Sequence, residues 1–223
     1  MHSGYCEPCL NINQNGDTAM NLVERAKNIL LQPNAEWETI SKESPAVIDL
    51  YRDYIVPLAA IGPVASIIGM SLFGISMPFS GGTYRVPLMS SITHGIASYV
   101  LALVAVFVIA LIIDALAPVF GGEKNQMQAL KVSAYASTPS WLAGIAMLIP
   151  MLGIIGLLAS LYSLYLVYLG LPVLMKAPKE KAIGYTAVVV VAAIVMMAVF
   201  SGISGLFIST PTMTLPGLIP PGN

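Results

Sequence analysis

The stretch ITHGIASYVLALVAVFVIALIIDALAPV, from Ile92 to Val119, decides the fold of this chain. Asp114 is its single charged residue, and most of the other side chains are aliphatic. A helix needs about 20 consecutive apolar residues to cross the hydrocarbon core of a bilayer. The stretch is long enough, so it predicts a membrane-spanning helix.

Four further apolar runs fill most of the chain on either side: Tyr54 to Ile75, Val132 to Ile149, Met151 to Met175 and Ala182 to Ile208. Of the 223 residues, 57% are hydrophobic and 9% are charged, whereas a soluble domain has about 25% charged residues. The sequence therefore predicts an all-α polytopic integral membrane protein, a five-helix transmembrane bundle preceded by an N-terminal amphipathic helix.

The basic residues are distributed unevenly across such a bundle. With five spans, nine of the ten Lys and Arg residues fall on one side of the membrane, and Arg85 alone falls on the other. Cytoplasmic loops carry the excess of Lys and Arg. We therefore expect the N-terminus in the cytoplasm and the C-terminus outside.

The two termini differ in composition from the bundle and set the expected domain boundaries. Residues 1–19 are polar, Asn-rich and without periodicity, and residues 209–223 carry no charge, so both predict disordered tails. Residues 20–53 predict a cytoplasmic amphipathic or interfacial segment, and residues 54–208 predict the five-span domain. Because a coherent pattern begins only at Met20, that residue is an alternative start of the chain.

The N-terminal tail contains a CxxC motif, Cys6-Glu7-Pro8-Cys9. A structural zinc ion needs four ligands, and His2 is the one further ligand nearby. We therefore expect an accidental cysteine pair, with no metal, no cofactor and no nucleic-acid partner.

An amphipathic helix is predicted from Met20, with apolar side chains at helical spacing: Leu22, Val23, Ala26, Ile29 and Leu30. Pro33 is expected to end it. Trp37 suits the membrane interface, where its ring is buried and its N–H stays hydrated. We expect the helix to dock on the cytoplasmic ends of the chain's own spans, with lipid or partner binding as the alternative.

Prolines predict breaks in two of the spans. Pro57 and Pro63 interrupt the first apolar run, because proline lacks a backbone N–H and bends a helix. In the third run, Pro139 lies among the hydroxyl side chains of Ser137, Thr138 and Ser140. Ser and Thr can satisfy the backbone groups that a proline frees. We expect these hydroxyls to cover the carbonyl left unpaired by Pro139.

The candidate functional residues lie in the second, third and fourth spans. A carboxylate inside an apolar run is costly in lipid, and it serves either as a structural contact at a helix end or as a proton or ion site. The tyrosines of the fourth span are expected to pack between helices rather than to form a ligand cage. The candidates are Asp114, Tyr135, Thr138, Pro139, Tyr162, Tyr165, Tyr168 and Gly170.

The chain lacks the common catalytic motifs. It contains no GxSxG, no Walker loop, no HExxH and no pair of carboxylates inside its apolar runs. With two histidines, one of them in the N-terminal tail, it offers few groups for acid–base catalysis. We expect no catalytic residues and no enzymatic activity.

Several segments resemble the Yip family of Ypt/Rab-interacting, five-span membrane proteins, particularly its bacterial and archaeal members. The resemblance extends over about Met20 to Phe207 and implies a place in a prokaryotic cytoplasmic membrane. The segments are Pro33 and Trp37 before an acidic stretch, AYASTPSW at 134–141, LYSLYLVYLGL at 161–171 and PKEKA at 178–182.

In eukaryotic members of the family, a cytosolic N-terminal region contacts prenylated small GTPases during vesicle traffic between the endoplasmic reticulum and the Golgi. Their Asp-Leu-Tyr-Gly-Pro motif is matched here as Asp49-Leu50-Tyr51, with Arg52-Asp53 in place of Gly-Pro. Their Gly-Tyr-x-x-x-Pro element is matched at Tyr135 and Pro139, with Ala134 in place of Gly. The match is therefore fuller in the third span than in the GTPase-binding motif.

Two functions of different classes remain open. The first is a non-enzymatic scaffold or adaptor that shapes membrane or recruits partners through its cytoplasmic face. Its expected partners are bilayer lipid, a cytoplasmic protein and a second copy of the chain. Small residues at helix-packing spacing, such as Gly62 with Ser66 and Ala198 with Gly202, are expected to pack helices within the bundle, with a contact between two copies as the alternative. The second is a small-solute or ion channel or transporter through the bundle, motivated by Asp114 and the hydroxyl-rich third span.

The predicted orientation can be tested by cysteine labelling in a background without Cys6 and Cys9. With Ser41→Cys or Thr212→Cys, an impermeant thiol reagent on intact cells is expected to label position 212 alone, because position 41 lies in the cytoplasm. Labelling at position 41 on intact cells would overturn this orientation.

Overall fold

The computed structural model describes residues 22–72, 75–76, 83–84, 88–148 and 153–205. The predicted tails, the Cys6–Cys9 pair and Arg85 lie outside these residues. Within them the chain is helical, apart from a two-residue antiparallel pairing of β1 (Ile75–Ser76) with β2 (Thr83–Tyr84).

Short helices make up the first part of the chain: α1 (Leu22–Leu31), α2 (Pro33–Lys42), α3 (Val47–Leu50), a π-helical turn (Tyr51–Ile55), α4 (Val56–Ala59) and α5 (Ile61–Leu72). The second part contains α6 (Leu88–Leu116), α7 (Gln126–Ala136), α8 (Thr138–Ala143), a 3-10 turn (Gly144–Leu148), α9 (Gly153–Leu174) and α10 (Lys179–Gly205). The first helix ends before Pro33 as predicted, and Pro33 also opens α2, because proline fits the first position of a helix.

Three helices of the described residues are long and apolar enough to cross a membrane: Leu88–Leu116, Ile154–Leu174 and Lys179–Ile203. They correspond to the second, fourth and fifth predicted spans. The first and third predicted spans are divided into shorter helices, so a count of five crossings stays a prediction.

The first predicted span is broken at its prolines, as expected. Pro57 lies in the first turn of α4, and the helix is interrupted at Ala60 before α5 begins. Pro63 lies in the first turn of α5, where the missing N–H would have no partner within the helix. Both prolines therefore lie in the first turn of a short helix.

The third predicted span is also broken, between α7 and α8 at Ser137. The prediction of which carbonyl is covered was wrong. The Ser137 hydroxyl donates to the Ser133 carbonyl at 2.7 Å, because the Ser137 N–H is turned to Ala134 instead. The Thr138 hydroxyl is bonded to Tyr54 and not to the backbone. The hydroxyl therefore bonds a carbonyl at the end of α7 that lies two residues before Tyr135, whose carbonyl Pro139 frees.

Helix α7 lies at the centre of the described structure. All of its residues from Ala129 to Ala136 are buried, and it packs against α6 and α9. The buried Ser133 hydroxyl donates to the Val106 carbonyl of α6 at 2.8 Å. Because α7 is buried on every side, its sequence shows no single apolar face. The N-terminal helices pack against it.

A close backbone contact joins the two broken segments. A Cβ atom added at Gly144 would lie 2.7 Å from the Gly62 Cα and 3.1 Å from its nitrogen. Small residues allow helices to approach in this way inside a membrane. The small residue at position 62, predicted to serve helix packing, thus packs within the chain.

The Gly62–Gly144 contact yields a stability prediction. Gly144→Ala is expected to lower the free energy of unfolding in detergent by about 1–3 kcal/mol, because the new methyl group meets backbone that cannot rotate away. Thermal unfolding followed by circular dichroism measures this.

Gly156→Ala is the matched control, since a Cβ at position 156 meets no atom within 4 Å. It is expected to leave stability unchanged or slightly raised, as alanine favours a helix over glycine. Equal behaviour of the two variants would contradict the close contact.

Candidate functional site

Four of the sequence-predicted candidates lie together beneath the N-terminal helices: Tyr135, Thr138, Tyr162 and Gly170. They come from α7, α8 and α9, and they face α1, α2 and the π-helical turn. We call these four residues, together with Trp37 and Tyr54, the docking site.

Trp37 is the largest side chain of the docking site and is fully buried. Its ring meets the Tyr135 ring edge to face, with centroids 6.3 Å apart. A Cβ at Gly170 would lie 3.0 Å from the indole, so only glycine lets α2 come this close to α9. The expectation of an interfacial Trp37 with a hydrated N–H was therefore wrong. Its Nε1 is buried and has no hydrogen-bond partner among the described residues.

The Tyr54 and Tyr135 rings contact each other behind Trp37 at an interplanar angle of 59°. Their ring centroids are 4.6 Å apart, and the Tyr54 and Thr138 hydroxyls share a buried hydrogen bond of 2.7 Å. Tyr54 belongs to the π-helical turn, a rare helix type that often occurs at functional sites. Thr138 thus connects the break of the third predicted span to the start of the first.

A nearly buried cation joins these aromatic residues to two carboxylates. Arg25 of α1 is bonded to Glu36 of α2 at 2.5 Å and to Glu43 beyond α2, and its guanidinium carbon lies 5.9 Å from the Tyr135 ring centroid. Burial alone would lower the pKa of Arg25, but the hydrogen bonds to Glu43 and Glu36 and the charge of Glu43 raise it overall. The guanidinium therefore stays charged, and a cation over a ring face is favourable.

Lys131 is a second buried cation and lies on α7. Its Nζ donates to the carbonyls of Ile40 at 2.6 Å and Glu43 at 2.8 Å. These carbonyls end α2, where the helix leaves acceptors without partners and favours positive charge. Burial lowers the pKa of Lys131 to about 8, the negative charge of Glu43 opposes that shift, and the charge of Arg25 adds to it.

The end of α1 is held in the same way from α9. The Tyr162 hydroxyl donates to the Leu30 carbonyl at 2.6 Å. Tyr165 contacts the Tyr162 ring at 5.7 Å between centroids but is 45% exposed, and Tyr168 is also exposed. The spacing of three therefore brings one of the three tyrosines into the docking site. Pro139 is buried in the first turn of α8 behind Thr138.

Asp114 lies elsewhere, beside Tyr185 of α10. The Tyr185 hydroxyl donates to the Ile113 carbonyl, and its ring stacks on Phe120 with centroids 4.9 Å apart. Asp114 Oδ1 is buried and has no hydrogen-bond partner in the part of the chain that the structure describes.

Three charged residues adjoin the docking site and were not predicted from the sequence: Arg25, Glu36 and Lys131. Arg25 and Glu36 are 11 residues apart on different helices, so no helical spacing connects them. One signal was present, since Lys131 immediately precedes an apolar run.

Among the described residues, no group of three or more His, Cys, Asp or Glu side chains could hold a metal ion. The arrangement can fix helices in place, through hydrogen bonds between side chains and through hydrogen bonds from side chains to backbone carbonyls.

Comparison with known proteins gives one match. The family model of the Yip1 domain matches residues 27–200. This range includes every docking-site residue and most of α10, and it begins two residues after Arg25. Yip1 is not a known enzyme family. No curated protein and no solved structure matches the chain.

Trp37→Ala is expected to release α1 and α2 from α7 and α9. Truncating a buried tryptophan costs about 3–5 kcal/mol. Hydrogen exchange in detergent is expected to become faster in α1 and α2, while α9 remains protected. Val23→Ala, at a 71% exposed position of α1, is the control and should leave exchange unchanged. Unchanged protection of α2 in the Trp37 variant would show that the ring does not hold these helices.

Lys131 predicts a pH dependence of stability. Its pKa is lowered from 10.5 to about 8 in the folded protein, so the unfolded chain binds more protons between these values. Stability should therefore rise as the pH increases through about 8. The midpoint of thermal unfolding is expected to increase from about pH 7 to about pH 9. Lys131→Met is expected to lose this increase, and an identical slope in the variant would contradict the assignment.

Proposed function

Because the chain belongs to the Yip family, we propose that it is a non-enzymatic membrane scaffold or adaptor that shapes membrane or recruits partners through the face carried by its N-terminal helices. The family match and the membrane-long helices α6, α9 and α10 make it a membrane protein of the Yip type. The scaffold role is the further step that we propose.

The burial of Arg25 and Lys131 carries this proposal. Both cations are used to fix α1 and α2 in one position, through Glu36 and Glu43 and through the carbonyls that end α2. Buried charges of this kind add little net stability but select one geometry. A protein that fixes two short helices so specifically beside its membrane helices is suited to presenting them to a partner.

Helices α1 and α3 present apolar side chains outward. Val23 is 71% exposed, Leu31 is 67% exposed and Ile48 is 74% exposed. None of the three lies in a helix long enough to span the membrane. Exposed apolar groups in such a place favour contact with another apolar surface, either a protein partner or the bilayer interface. The positive-inside distribution of charge favours the cytoplasmic side for this face.

The experiment is affinity capture of the tagged full-length protein from mild detergent, with a variant of the exposed face. Val23→Asp combined with Leu31→Asp is expected to abolish capture of a stoichiometric partner. Stability should hardly change, because exposed substitutions usually alter it by less than about 0.5 kcal/mol.

Thr39→Asp is the control, since it adds a charge at another exposed position of the same pair of helices. It should leave capture unchanged. Equal capture by the double variant and the wild type would refute recruitment through this face.

A second copy of the chain is the other partner that we propose. In α10, the side chains of Ala198 and Ser201 are exposed, and a Cβ at Gly202 would meet no atom within 4 Å. This leaves a face of small residues on which a second helix could pack closely.

Asp114 supports the alternative, a small-solute or ion channel or transporter. A buried carboxylate oxygen inside a membrane-long helix, with no hydrogen-bond partner among the described residues, suits a proton or cation. Reconstituted vesicles test this: flux that is lost in Asp114→Asn and kept in Asp49→Asn would favour transport over the scaffold.

A further inference from the structure

Four lysines lie in or beside the two segments that follow α6 and α9 at one end of the bundle. Lys124 follows α6, Lys176 follows α9, and Lys179 and Lys181 lie in the first turn of α10. We call these four residues the lysine surface. Lys176, Lys179 and Lys181 lie within two residues of the end of a helix long enough to cross the membrane, and Lys124 lies eight residues after the last residue of α6.

Direct contacts hold the two segments together. The Glu123 N–H donates to the Met175 carbonyl at 2.8 Å, and the Lys176 ammonium is 2.7 Å from the Glu123 carboxylate. A Cβ at Gly122 would lie 2.6 Å from that same Met175 carbonyl, so glycine is needed for this approach. The four lysines therefore belong to one assembled surface.

Lys181 extends across from α10 to the other segment. Its Nζ lies 3.7 Å from where a Cβ at Gly121 would be. Gly121 has a φ of 78°, in the left-handed region that favours glycine. Any larger residue at this point would be strained, and it would crowd the ammonium group.

The charges of this surface are largely uncompensated. All four lysines are exposed, and within the described ranges only Lys176 forms an ion pair. The two segments contain two acidic residues, Glu123 and Glu180, against four lysines. By contrast, Arg25 and Arg52 are both paired with carboxylates. The positive charge at this end of the bundle is therefore available to an anionic group outside the chain.

The backbone at Lys176 adds a second observation. Its φ is 53°, the left-handed conformation that commonly ends a helix and is usually occupied by glycine. A lysine is strained there, yet it places its ammonium group on Glu123 and locks the two segments together. The strained backbone thus occurs at the residue whose ion pair joins the two segments of the lysine surface.

We propose that the lysine surface binds the phosphate groups of anionic bilayer lipids. Basic clusters at the membrane-facing ends of transmembrane helices attract anionic headgroups, and the attraction decreases within a Debye length of the surface. The lysine surface lies at this level, because its residues adjoin the ends of α6, α9 and α10. The proposal does not depend on the scaffold role.

The test measures lipid binding to the purified full-length protein in neutral detergent by native mass spectrometry. Phosphatidylglycerol is expected to bind more tightly than phosphatidylcholine. In the double variant Lys179→Gln and Lys181→Gln, the affinity for phosphatidylglycerol is expected to fall by roughly fivefold for each lysine removed. The affinity for phosphatidylcholine should stay the same, and the matching Lys→Arg double variant should bind like the wild type.

Lys27→Gln, on the exposed side of α1, is the control for the loss of positive charge elsewhere. An equal loss of phosphatidylglycerol binding in this control, or no preference for the anionic lipid in the wild type, would overturn the proposal. Excess inorganic phosphate distinguishes the sources of the anion. Lipid binding should persist in its presence, and full displacement would assign the surface to free phosphate.

Discussion

Arg25 reaches from α1 to Glu36 and Glu43, and its guanidinium lies over the Tyr135 ring, so one cation connects both N-terminal helices with α7. Its side chain is 11% exposed. Removing one partner of a buried ion pair costs about 3–5 kcal/mol, although the intact pair adds little net stability. A placement that separates α1 from α2 would leave Arg25 and Glu36 without each other. The ion pairs thus select one arrangement of α1 and α2, and other contacts supply most of the free energy that stabilises it.

Apolar burial supplies most of that energy. Trp37 fills the space that Gly170 leaves open, and Tyr54 and Tyr135 pack behind it. Lys131 donates to the Glu43 carbonyl and to the Ile40 carbonyl, which also accepts the Glu43 N–H, so it adds a charged donor at the end of α2. The same logic holds at the break after α7, where the Ser137 hydroxyl takes the place of a missing backbone donor. Polar groups at this depth are used to complete backbone hydrogen bonding.

Apolar runs and prolines were enough to predict α6, α9 and α10 and both broken segments, because length in lipid and the missing proline N–H act locally. The docking site was predictable only in part. Tyr135, Thr138, Tyr162 and Gly170 were found through their segments, but the burial of Trp37 was not, since α2 buries Glu36 beside Trp37 and Ile40. Because the Glu36 carboxylate lies on the inner face of α2, the spacing of apolar residues does not reveal that face. Its partner Arg25 lies on another helix, and only the folded chain brings them together.

The central claim is that α1 and α2 are held in one position against α9 by the docking site. Spin labels on Thr39→Cys in α2 and Ser160→Cys in α9, both at exposed positions, measure this directly by double electron–electron resonance in a background without Cys6 and Cys9. The account predicts a single narrow distance distribution in the otherwise native protein that broadens when Arg25→Ala is added. A broad distribution without that substitution, or a narrow one that Arg25→Ala leaves unchanged, would contradict it.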